Sequence, residues 1–274
     1  MEYLNTLFNL RGKIAVLTGG GGILASEMAA AFLKAGCKVV LLDINEENLN
    51  AKIDALKKIS PEVIGFKCNV LDEESLSNVN AQILEKHGRI DILVNAAGGN
   101  MAGATIGVDQ TIFDMKFDQF KKVTDLNLNG TVLPTLIFSK SMTESKNGSI
   151  INISSMAVDR AITRVVGYSA AKAAIDNFTR WMAVELASKF GSGIRVNAIA
   201  PGFLITDQNR TLLTNKDGSL TERGNKIIDI TPFKRFGEPN ELVGTVLFLA
   251  SDAAKFISGT IIPIDGGFSC FSGV

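Results

Sequence analysis

The sequence predicts an α/β fold: a doubly wound, seven-stranded parallel sheet with helices on both faces, in a single domain spanning residues 1–274. Short β-branched runs alternate with segments of helical length, which is typical of this class. Several runs are apolar at nearly every position, as expected of parallel strands buried on both faces. Length alone allows two domains, but no linker, low-complexity tract or internal repeat divides the chain.

The predicted strands occupy residues 14–17, 38–42, 63–67, 90–94, 149–153, 194–199 and 260–264. The predicted helices occupy the longer segments between them, about 24–36, 46–58, 73–87, 117–144, 166–190 and 239–250. Ligands bind such sheets at the carboxyl ends of the strands. Two connections at that end, 98–116 and 202–237, are too long for simple turns, which indicates functional loops. We expect helix within 209–229 and a small substrate lid over about 203–237.

Composition and charge exclude several classes of function. The chain carries 28 Lys and Arg against 28 Asp and Glu. This zero formal charge argues against sequence-independent binding of nucleic acid or of an anionic membrane, because both need a basic surplus. The single histidine, His87, excludes a multi-histidine metal site and argues against a Ser-His-Asp hydrolase. We therefore expect no metal, no nucleic-acid partner and no membrane partner.

The cysteines and the first residues indicate the compartment. Cys37, Cys68 and Cys270 are odd in number and lack Cys-x-x-Cys spacing, so they predict neither a disulfide framework nor a zinc ribbon. The opening stretch MEYLNTLFNL has no basic region and no long apolar core, unlike a signal peptide. No apolar run reaches the roughly 18 residues of a membrane span. We expect a cytoplasmic protein.

A glycine-rich loop, TGGGGILA at residues 18–25, stands between the first predicted strand and the following helix. Glycines let the backbone turn tightly and approach a pyrophosphate, whose charge is stabilised at a helix N-terminus. A flexible turn has the same composition, but the strand-loop-helix order favours nucleotide binding. We expect Gly19, Gly22, Ile23 and Leu24 to lie at the cofactor.

Asp43 ends the second predicted strand, 24 residues beyond Gly19. A carboxylate at this place accepts hydrogen bonds from the adenosine ribose hydroxyls and repels a 2′-phosphate. Taken alone, Asp43 before Asn45 could instead cap the next helix. In combination with the glycine loop, it favours NAD over NADP.

Tyr168 and Lys172 are four residues apart, on one face of a predicted helix, and Ser155 follows an apolar strand. A tyrosine acts as an acid/base near neutral pH if its pKa falls from ~10 to ~7, which requires roughly 4 kcal/mol. A cation about 4 Å away supplies ~4 kcal/mol at an effective dielectric constant near 20. A Tyr-x-x-x-Lys pair often occurs by chance on an exposed helix face. Here the glycine loop, Asp43 and Ser155 precede the pair in the chain, and this combination favours a catalytic role.

The complete set resembles the short-chain dehydrogenase/reductase family over nearly the whole chain. The segments that carry the resemblance are residues 18–25, NAAG at 95–98, LNLNGT around Asn127, NISS at 152–155, residues 168–172, PG at 201–202 and DGG at 265–267. The resemblance implies a Rossmann fold, a nicotinamide cofactor and a homotetramer.

It also implies roles for the matching residues. Tyr168 would be the catalytic acid/base, and Ser155 would orient and polarise the substrate oxygen. Lys172 would hold the nicotinamide ribose and lower the tyrosine pKa, while Asn127 would support a water-linked proton relay. Tyr168 and Lys172 thus also belong to the expected cofactor site. Its other members are Asn69, Val70, Asn95, Ala97, Gly98, Pro201, Gly202 and Thr206.

Two positions depart from the family pattern. The family loop reads Thr-Gly-x-x-x-Gly-x-Gly, whereas Ile23 and Ala25 occupy the later glycine positions here. Gly22 can substitute if the turn shifts by one residue. Asn69 stands where the family commonly has an Asp against adenine, and an amide can both accept and donate there.

Five segments are similar to the fructuronate reductase (D-mannonate oxidoreductase) subgroup: GGNMAGAT, SSMAVDRAITRVVGYSAAKAA, APGFLITDQNR, TPFKRFGEP and DGGFSCFSGV. That subgroup reduces a keto-uronate to an aldonate with a nicotinamide. Arg160 and Arg164 lie between Ser155 and Tyr168, and an arginine fork suits a carboxylate; two solvated arginines are the alternative. The expected neutral contacts, besides Ser155, are Asn100 and Asn209, with Gln208 and Arg210 as further polar candidates.

The sequence therefore predicts an NAD-dependent oxidoreductase that interconverts D-fructuronate and D-mannonate, with a sugar acid as its small-molecule partner. A gluconate-type or deoxy-keto-uronate dehydrogenase is the alternative within the enzyme class. A nucleotide-binding regulator without turnover is the alternative from another class. The joint presence of Ser155, Tyr168, Lys172 and Asn127 argues against a regulator, because a protein that only binds a nucleotide has no need of all four.

Overall fold

A computed structural model describes residues 2–206 and 209–273. Within these residues, seven parallel strands form one sheet in the order β3-β2-β1-β4-β5-β6-β7. The strands are β1 Ile14–Thr18, β2 Lys38–Asp43, β3 Val63–Lys67, β4 Ile92–Asn95, β5 Gly148–Ile153, β6 Ile194–Pro201 and β7 Ile261–Ile264. The strand order reverses between β1 and β4, and this switch opens a crevice at the carboxyl ends where such sheets bind ligands.

The helices of the described residues follow the predicted segments, with additions. They are α1 Glu2–Leu7, α2 Ile23–Lys34, α3 Glu46–Lys57, α4 Glu73–His87, α5 Phe117–Thr124, α6 Gly130–Ser145, α7 Val166–Phe190, α8 Arg210–Leu213, α9 Glu222–Ile230 and α10 Val243–Ala250. The α/β prediction is confirmed. Helix α1 was not predicted, and a 3₁₀ turn, Pro239–Leu242, replaces the expected start of the last helix.

The predicted helix 117–144 is wrong in its middle. A π-helical turn, Asp125–Asn129, separates α5 from α6. Its member Asn127 donates hydrogen bonds of 2.8 Å to the carbonyl oxygens of both Val123 and Gly99. The amide therefore competes with the regular helical ladder, and π-turns of this kind occur frequently at functional sites.

Apolar side chains cover both faces of the sheet. Phe32 of α2 and Leu249 of α10 are buried on one face, and Phe138 of α6 and Met182 of α7 are buried on the other. Full burial of one such side chain contributes roughly 1.5–3 kcal/mol to folding. These two layers hold the strand ends, and the residues that follow them, in fixed positions.

A buried polar network ties the centre of the sheet to two helices. The side-chain amide of Asn95 donates to the Thr135 hydroxyl and to the Asn152 side-chain oxygen, both at 2.8 Å. Asn152 in turn donates to the Thr179 hydroxyl at 2.9 Å. The network links β4 and β5 to α6 and α7.

The long connection 203–237 forms a small unit at the carboxyl edge of the sheet. A bridge between Leu204 and Gly237 brings its two ends together. Buried Leu213, Ile227 and Phe236 form its own apolar cluster. Helices α8 and α9 confirm the prediction of helix within 209–229.

No helix in the described part of the chain combines the length and hydropathy needed to cross a membrane.

Candidate active site

Three of the four predicted catalytic side chains, Ser155, Tyr168 and Lys172, lie close together beyond the end of β5. Ser155 lies two residues after the strand, and Tyr168 and Lys172 lie in the first two turns of α7. The hydroxyls of Ser155 and Tyr168 share a hydrogen bond. The ammonium nitrogen of Lys172 lies 5.5 Å from the centroid of the Tyr168 ring. The structure thus brings together a hydroxyl pair and a cation.

Burial controls the protonation of Lys172. The side chain is buried, and its ammonium donates a hydrogen bond of 2.8 Å to the carbonyl oxygen of Ile153. Burial lowers the pKa of Lys172 to about 8, and the carboxylate of Asp176 opposes this effect. An ammonium in this position is therefore close to its titration range, and small changes in nearby charge decide whether it is protonated.

The pKa of Tyr168 differs from the expected lowering. Burial raises it above its ordinary value, and the hydrogen bond with Ser155 opposes that rise. The Lys172 ammonium donates its hydrogen bond to the Ile153 carbonyl and not to the phenol. A raised pKa keeps the phenol protonated at neutral pH, which is the state that donates a proton.

Asn127 fixes the backbone beside this cluster. Its side-chain oxygen accepts from the Gly99 amide at 3.0 Å, while its nitrogen donates to the Gly99 carbonyl. Gly98 has φ +150°, and a Cβ there would lie 2.7 Å from the Asn127 side-chain oxygen and 3.6 Å from the Lys172 nitrogen. Glycine is therefore required where the chain passes between the amide and the ammonium.

The glycine loop turns tightly against the residues that follow β4, the strand that pairs with β1. Gly19 has φ +68°, and a Cβ there would lie 2.9 Å from the Ala97 Cα. The Thr18 hydroxyl accepts hydrogen bonds from the amides of Ala96 and Ala97, at 3.1 and 3.0 Å. The loop and residues 96–97 thus form one rigid wall of the crevice.

Helix α2 begins directly at Ile23, so Gly22 is its N-cap, and no side chain caps it there. The first N–H groups of a helix lack intrahelical partners, which makes such an end suitable for a phosphate. Ile23 and Leu24 stand in that first turn, while the side chain of Ala25 is buried. The departures at residues 23 and 25 are therefore compatible with a phosphate at this helix end.

Asp43, the last residue of β2, binds the glycine loop and does not cap α3. Its carboxylate accepts hydrogen bonds from the Gly21 amide at 2.9 Å and the Asn45 amide at 2.8 Å. The cap is Asn45, whose side chain accepts from the Asn48 amide. Two donors hold the carboxylate at the end of β2, and its remaining lone pairs can accept from ribose hydroxyls.

The other expected cofactor residues line the same edge. Asn69 follows β3, and its side-chain oxygen accepts from the Leu71 amide at 3.0 Å; Val70 is buried beside it. A Cβ at Gly202 would lie 2.7 Å from the Asp265 Cα, so glycine is required after Pro201. Thr206 donates its backbone amide to the Asn209 side chain.

The expected substrate residues have different surroundings. The Arg160 guanidinium donates to the carbonyl oxygens of Ser269 and Phe271, at 2.8 and 3.1 Å. The Asn100 amide donates to Thr105 at 2.6 Å. The Asn209 side-chain oxygen accepts a hydrogen bond from the Thr206 amide, and its nitrogen donates to the Leu204 carbonyl oxygen at 2.7 Å. Both bonds stabilise the backbone before α8. A substrate would have to compete for these groups.

Arg164 and the neighbouring polar candidates complete this side. The Arg164 guanidinium donates to the Ile106 carbonyl at 2.6 Å, so it joins the loop before α7 to segment 98–116. Arg210 is the first residue of α8. Gln208 lies outside the described residues.

A cleft of about 400 Å³ lies between the loop 160–163, helix α9 and the C-terminal residues. Apolar walls alternate with the cations Arg160, Arg223 and Lys226. Sequence reasoning missed Arg223 and Lys226. The available signal was a pair of basic residues three positions apart in the predicted lid segment, but the sequence does not show which face of a helix there meets the loop before α7.

Comparison with known proteins identifies the family. The family model described as enoyl-(acyl carrier protein) reductase matches residues 22–269. The uncharacterized oxidoreductase UxuB of Bacillus subtilis is 42% identical over 275 residues, covering 97% of this chain and 98% of that protein. The 7α-hydroxysteroid dehydrogenase of Escherichia coli K12 is 33% identical over 261 residues, covering 94% of this chain and 96% of that enzyme.

Among solved structures, a Haemophilus influenzae protein provisionally named a D-mannonate oxidoreductase, with NAD bound, superposes with a TM-score of 0.90. It is 42% identical, and the match covers 97% of this chain and 98% of that chain. The fold and these matches define a nicotinamide-type oxidoreductase. The chain belongs to the short-chain dehydrogenase/reductase family, as the sequence predicted.

Proposed function

We propose that this oxidoreductase uses NAD and interconverts D-fructuronate and D-mannonate. The observation that carries the substrate class is the cation-lined cleft against the loop 160–163, which lies between Ser155 and Tyr168 in the chain. Four carbon–carbon bonds separate the carbonyl of D-fructuronate from its carboxylate. In this proposal one molecule presents its reducible carbonyl to Tyr168 and its carboxylate to the arginines. The similarity to the Haemophilus influenzae protein supports the particular sugar acid.

The residues at the glycine loop fit NAD. The uncapped start of α2 suits a pyrophosphate. The Asp43 carboxylate, anchored by two backbone amides, can accept from both ribose hydroxyls and would repel a 2′-phosphate. When bound, the nicotinamide supplies or accepts the hydride. The similar structure with NAD bound supports the same preference.

The side chains at β5 and α7 supply the proton chemistry. In the reducing direction, the Tyr168 hydroxyl donates its proton to the substrate carbonyl oxygen, which becomes the product hydroxyl. Ser155, hydrogen-bonded to Tyr168, orients that oxygen and stabilises the charge that develops on it. The buried Lys172 ammonium stabilises the phenolate that remains. In this proposal Asn127 holds residues 98–99 in place and supports the return of a proton.

A substrate panel tests this function. Wild-type enzyme is assayed by nicotinamide absorbance with D-fructuronate, D-fructose, a 7-oxosteroid and an acetoacetyl thioester, each with NADH and NADPH. The highest kcat/KM is expected for D-fructuronate with NADH, and D-mannonate with NAD should give the reverse reaction. A higher kcat/KM for the steroid or thioester would overturn the substrate class. A higher value for D-gluconate than for D-mannonate would replace the substrate within that class.

We also propose a homotetramer in the cytoplasm. Leu136 of α6 and Trp181 and Val184 of α7 are exposed, at 53%, 59% and 67%. Apolar residues exposed on neighbouring helices favour association with another copy. The free cysteines fit a reducing compartment. Light scattering should give the mass of four chains, and a monomer at micromolar concentration would contradict the assembly.

A further inference from the structure

Two arginines from separate parts of the chain lie close to the cleft: Arg223 lines it, and Arg164 directly follows the lining residue Thr163. Arg164 precedes α7, and Arg223 lies in the first turn of α9. Arg223 donates to the Thr163 hydroxyl at 3.4 Å, next to Arg164 in sequence. Burial and the Arg164 charge both lower the pKa of Arg223. The two positive charges are thus close enough to repel each other.

The backbone at Arg164 is held in an unfavourable conformation. Its φ is +77°, in the left-handed region that a residue with a Cβ rarely adopts. Hydrogen bonds in both directions maintain it: the Ile106 amide donates to the Arg164 carbonyl at 3.0 Å, and the guanidinium donates to the Ile106 carbonyl. Strain of this kind persists where surrounding structure over-determines it, often in ligand-binding segments.

Two other cations line the cleft with Arg223, and both are held by short contacts to oxygen atoms. Lys226 forms an ion pair with Glu222 at 2.6 Å, and Arg160 holds two carbonyl oxygens of the C-terminal residues. Among the described residues, the ion pairs include neither Arg164 nor Arg223. Two adjacent, partly buried guanidinium groups without a carboxylate are electrostatically unbalanced, and an anion between them would restore the balance.

We propose that Arg164 and Arg223 together bind the substrate carboxylate, with α9 supplying the second half of the anion site. This assignment rests on the sugar-acid function proposed above and adds a residue from segment 203–237 to it. Each arginine presents a planar fork that matches a carboxylate. Arg160, in contrast, positions the C-terminal residues.

The test compares Arg223→Gln with Lys216→Gln, a matched control that removes an exposed positive charge from segment 203–237 outside the cleft. Each variant is assayed with D-mannonate and with D-mannitol, the neutral analogue in which a hydroxymethyl group replaces the carboxylate. Arg223→Gln should lower kcat/KM for D-mannonate about tenfold to a hundredfold, since a charge-assisted contact is lost. Its kcat/KM for D-mannitol and its NADH affinity should stay unchanged. Lys216→Gln should change kcat/KM for neither substrate by more than about threefold.

Two further variants separate a carboxylate contact from a folding defect. Arg223→Lys should recover part of the loss, because the charge returns without the fork. Arg164→Gln combined with Arg223→Gln should cost less than the product of the single losses, because both act on one anion. If wild type prefers D-mannonate over D-mannitol and Arg223→Gln keeps that preference, this assignment is wrong and the proposed function stands. If wild type shows no preference, or turns over neither, the proposed function fails and the anchor with it.

Discussion

The ammonium group of Lys172 donates a hydrogen bond of 2.8 Å to the carbonyl oxygen of Ile153, the last residue of β5. The next residue, Ser154, donates a hydrogen bond to the carboxylate of Asp176, one helical turn beyond Lys172. The end of one strand therefore positions a buried cation and a buried anion of α7 side by side. The pKa values of this pair lead to the first two predictions.

Replacing Lys172 by Met should stabilise the fold at neutral pH while it removes activity. The pKa of Lys172 in the folded state, about 8, lies below the ordinary 10.5. Burial of the charged ammonium therefore lowers the free energy of unfolding. That difference corresponds to about 3 kcal/mol, from which the lost hydrogen bond subtracts about 1 kcal/mol. Urea unfolding at pH 7 should show a gain of about 1–2 kcal/mol.

The sign of the pH dependence follows from the same pKa values. Between pH 8 and 10.5 the unfolded chain binds more protons at Lys172 than the folded one, so this contribution to wild-type stability rises with pH. The loss of stability caused by burying the charged Lys172 is complete below about pH 8 and absent above about pH 10.5. The advantage of the Met variant should therefore shrink across that window. An advantage that is constant with pH would contradict the buried-charge account.

Asp176→Asn should shift the alkaline limb of the kcat/KM profile to lower pH. The carboxylate raises the pKa of Lys172 against the effect of burial, so its removal lets that pKa fall below about 8. Asp176→Glu is the matched control, because it keeps a carboxylate on α7 and changes only its position. A profile that moves equally in both variants would indicate a structural role for Asp176.

Tyr168→Phe should abolish turnover and leave NADH binding nearly intact. The phenol carries the proton, and groups of this kind supply about 10²–10⁴-fold in rate. Fluorescence titration with NADH measures the binding. Ser155→Ala serves as a comparison, because it removes the other hydroxyl of the pair. Residual activity above about a hundredth of wild type in Tyr168→Phe would exclude this acid/base assignment.

Asp43→Ala should weaken NAD binding and improve NADP binding. The substitution removes the acceptor for the ribose hydroxyls and the repulsion of a 2′-phosphate. It also removes the bond to the Gly21 amide, so Asp43→Asn, which can still accept there, controls for loop geometry. The ratio of the kcat/KM values for the two cofactors is the readout. A wild type that already prefers NADP would contradict the NAD proposal.

The fold was predictable because successive residues of a strand serve opposite faces. In β1, Ala15 and Leu17 belong to one apolar layer and Ile14 and Val16 to the other. A continuous apolar run therefore indicates a strand covered on both sides. The catalytic set was predictable for a related reason, since Tyr168 and Lys172 are close in sequence and lie on one helix face.

The remaining features depend on contacts between distant segments. The π-turn at Asn127 forms around bonds to Gly99, 28 residues away. Arg223 meets Thr163 across 60 residues, and no periodicity within either segment indicates that encounter. The raised pKa of Tyr168 depends on how deeply the folded chain buries the phenol. Sequence spacing gives the separation of two residues along a helix. It does not show how far the folded chain excludes solvent from each side chain.

The most direct test of the proposed chemistry compares D-fructuronate with D-fructose under NADH, at equal enzyme concentration. The two substrates share the reducible ketone and differ in the carboxylate. A charge-assisted contact contributes roughly 1.5–3 kcal/mol, so kcat/KM should be at least about tenfold higher for D-fructuronate in wild type. Equal kcat/KM values for the acid and its neutral analogue would contradict the assignment of a sugar-acid oxidoreductase.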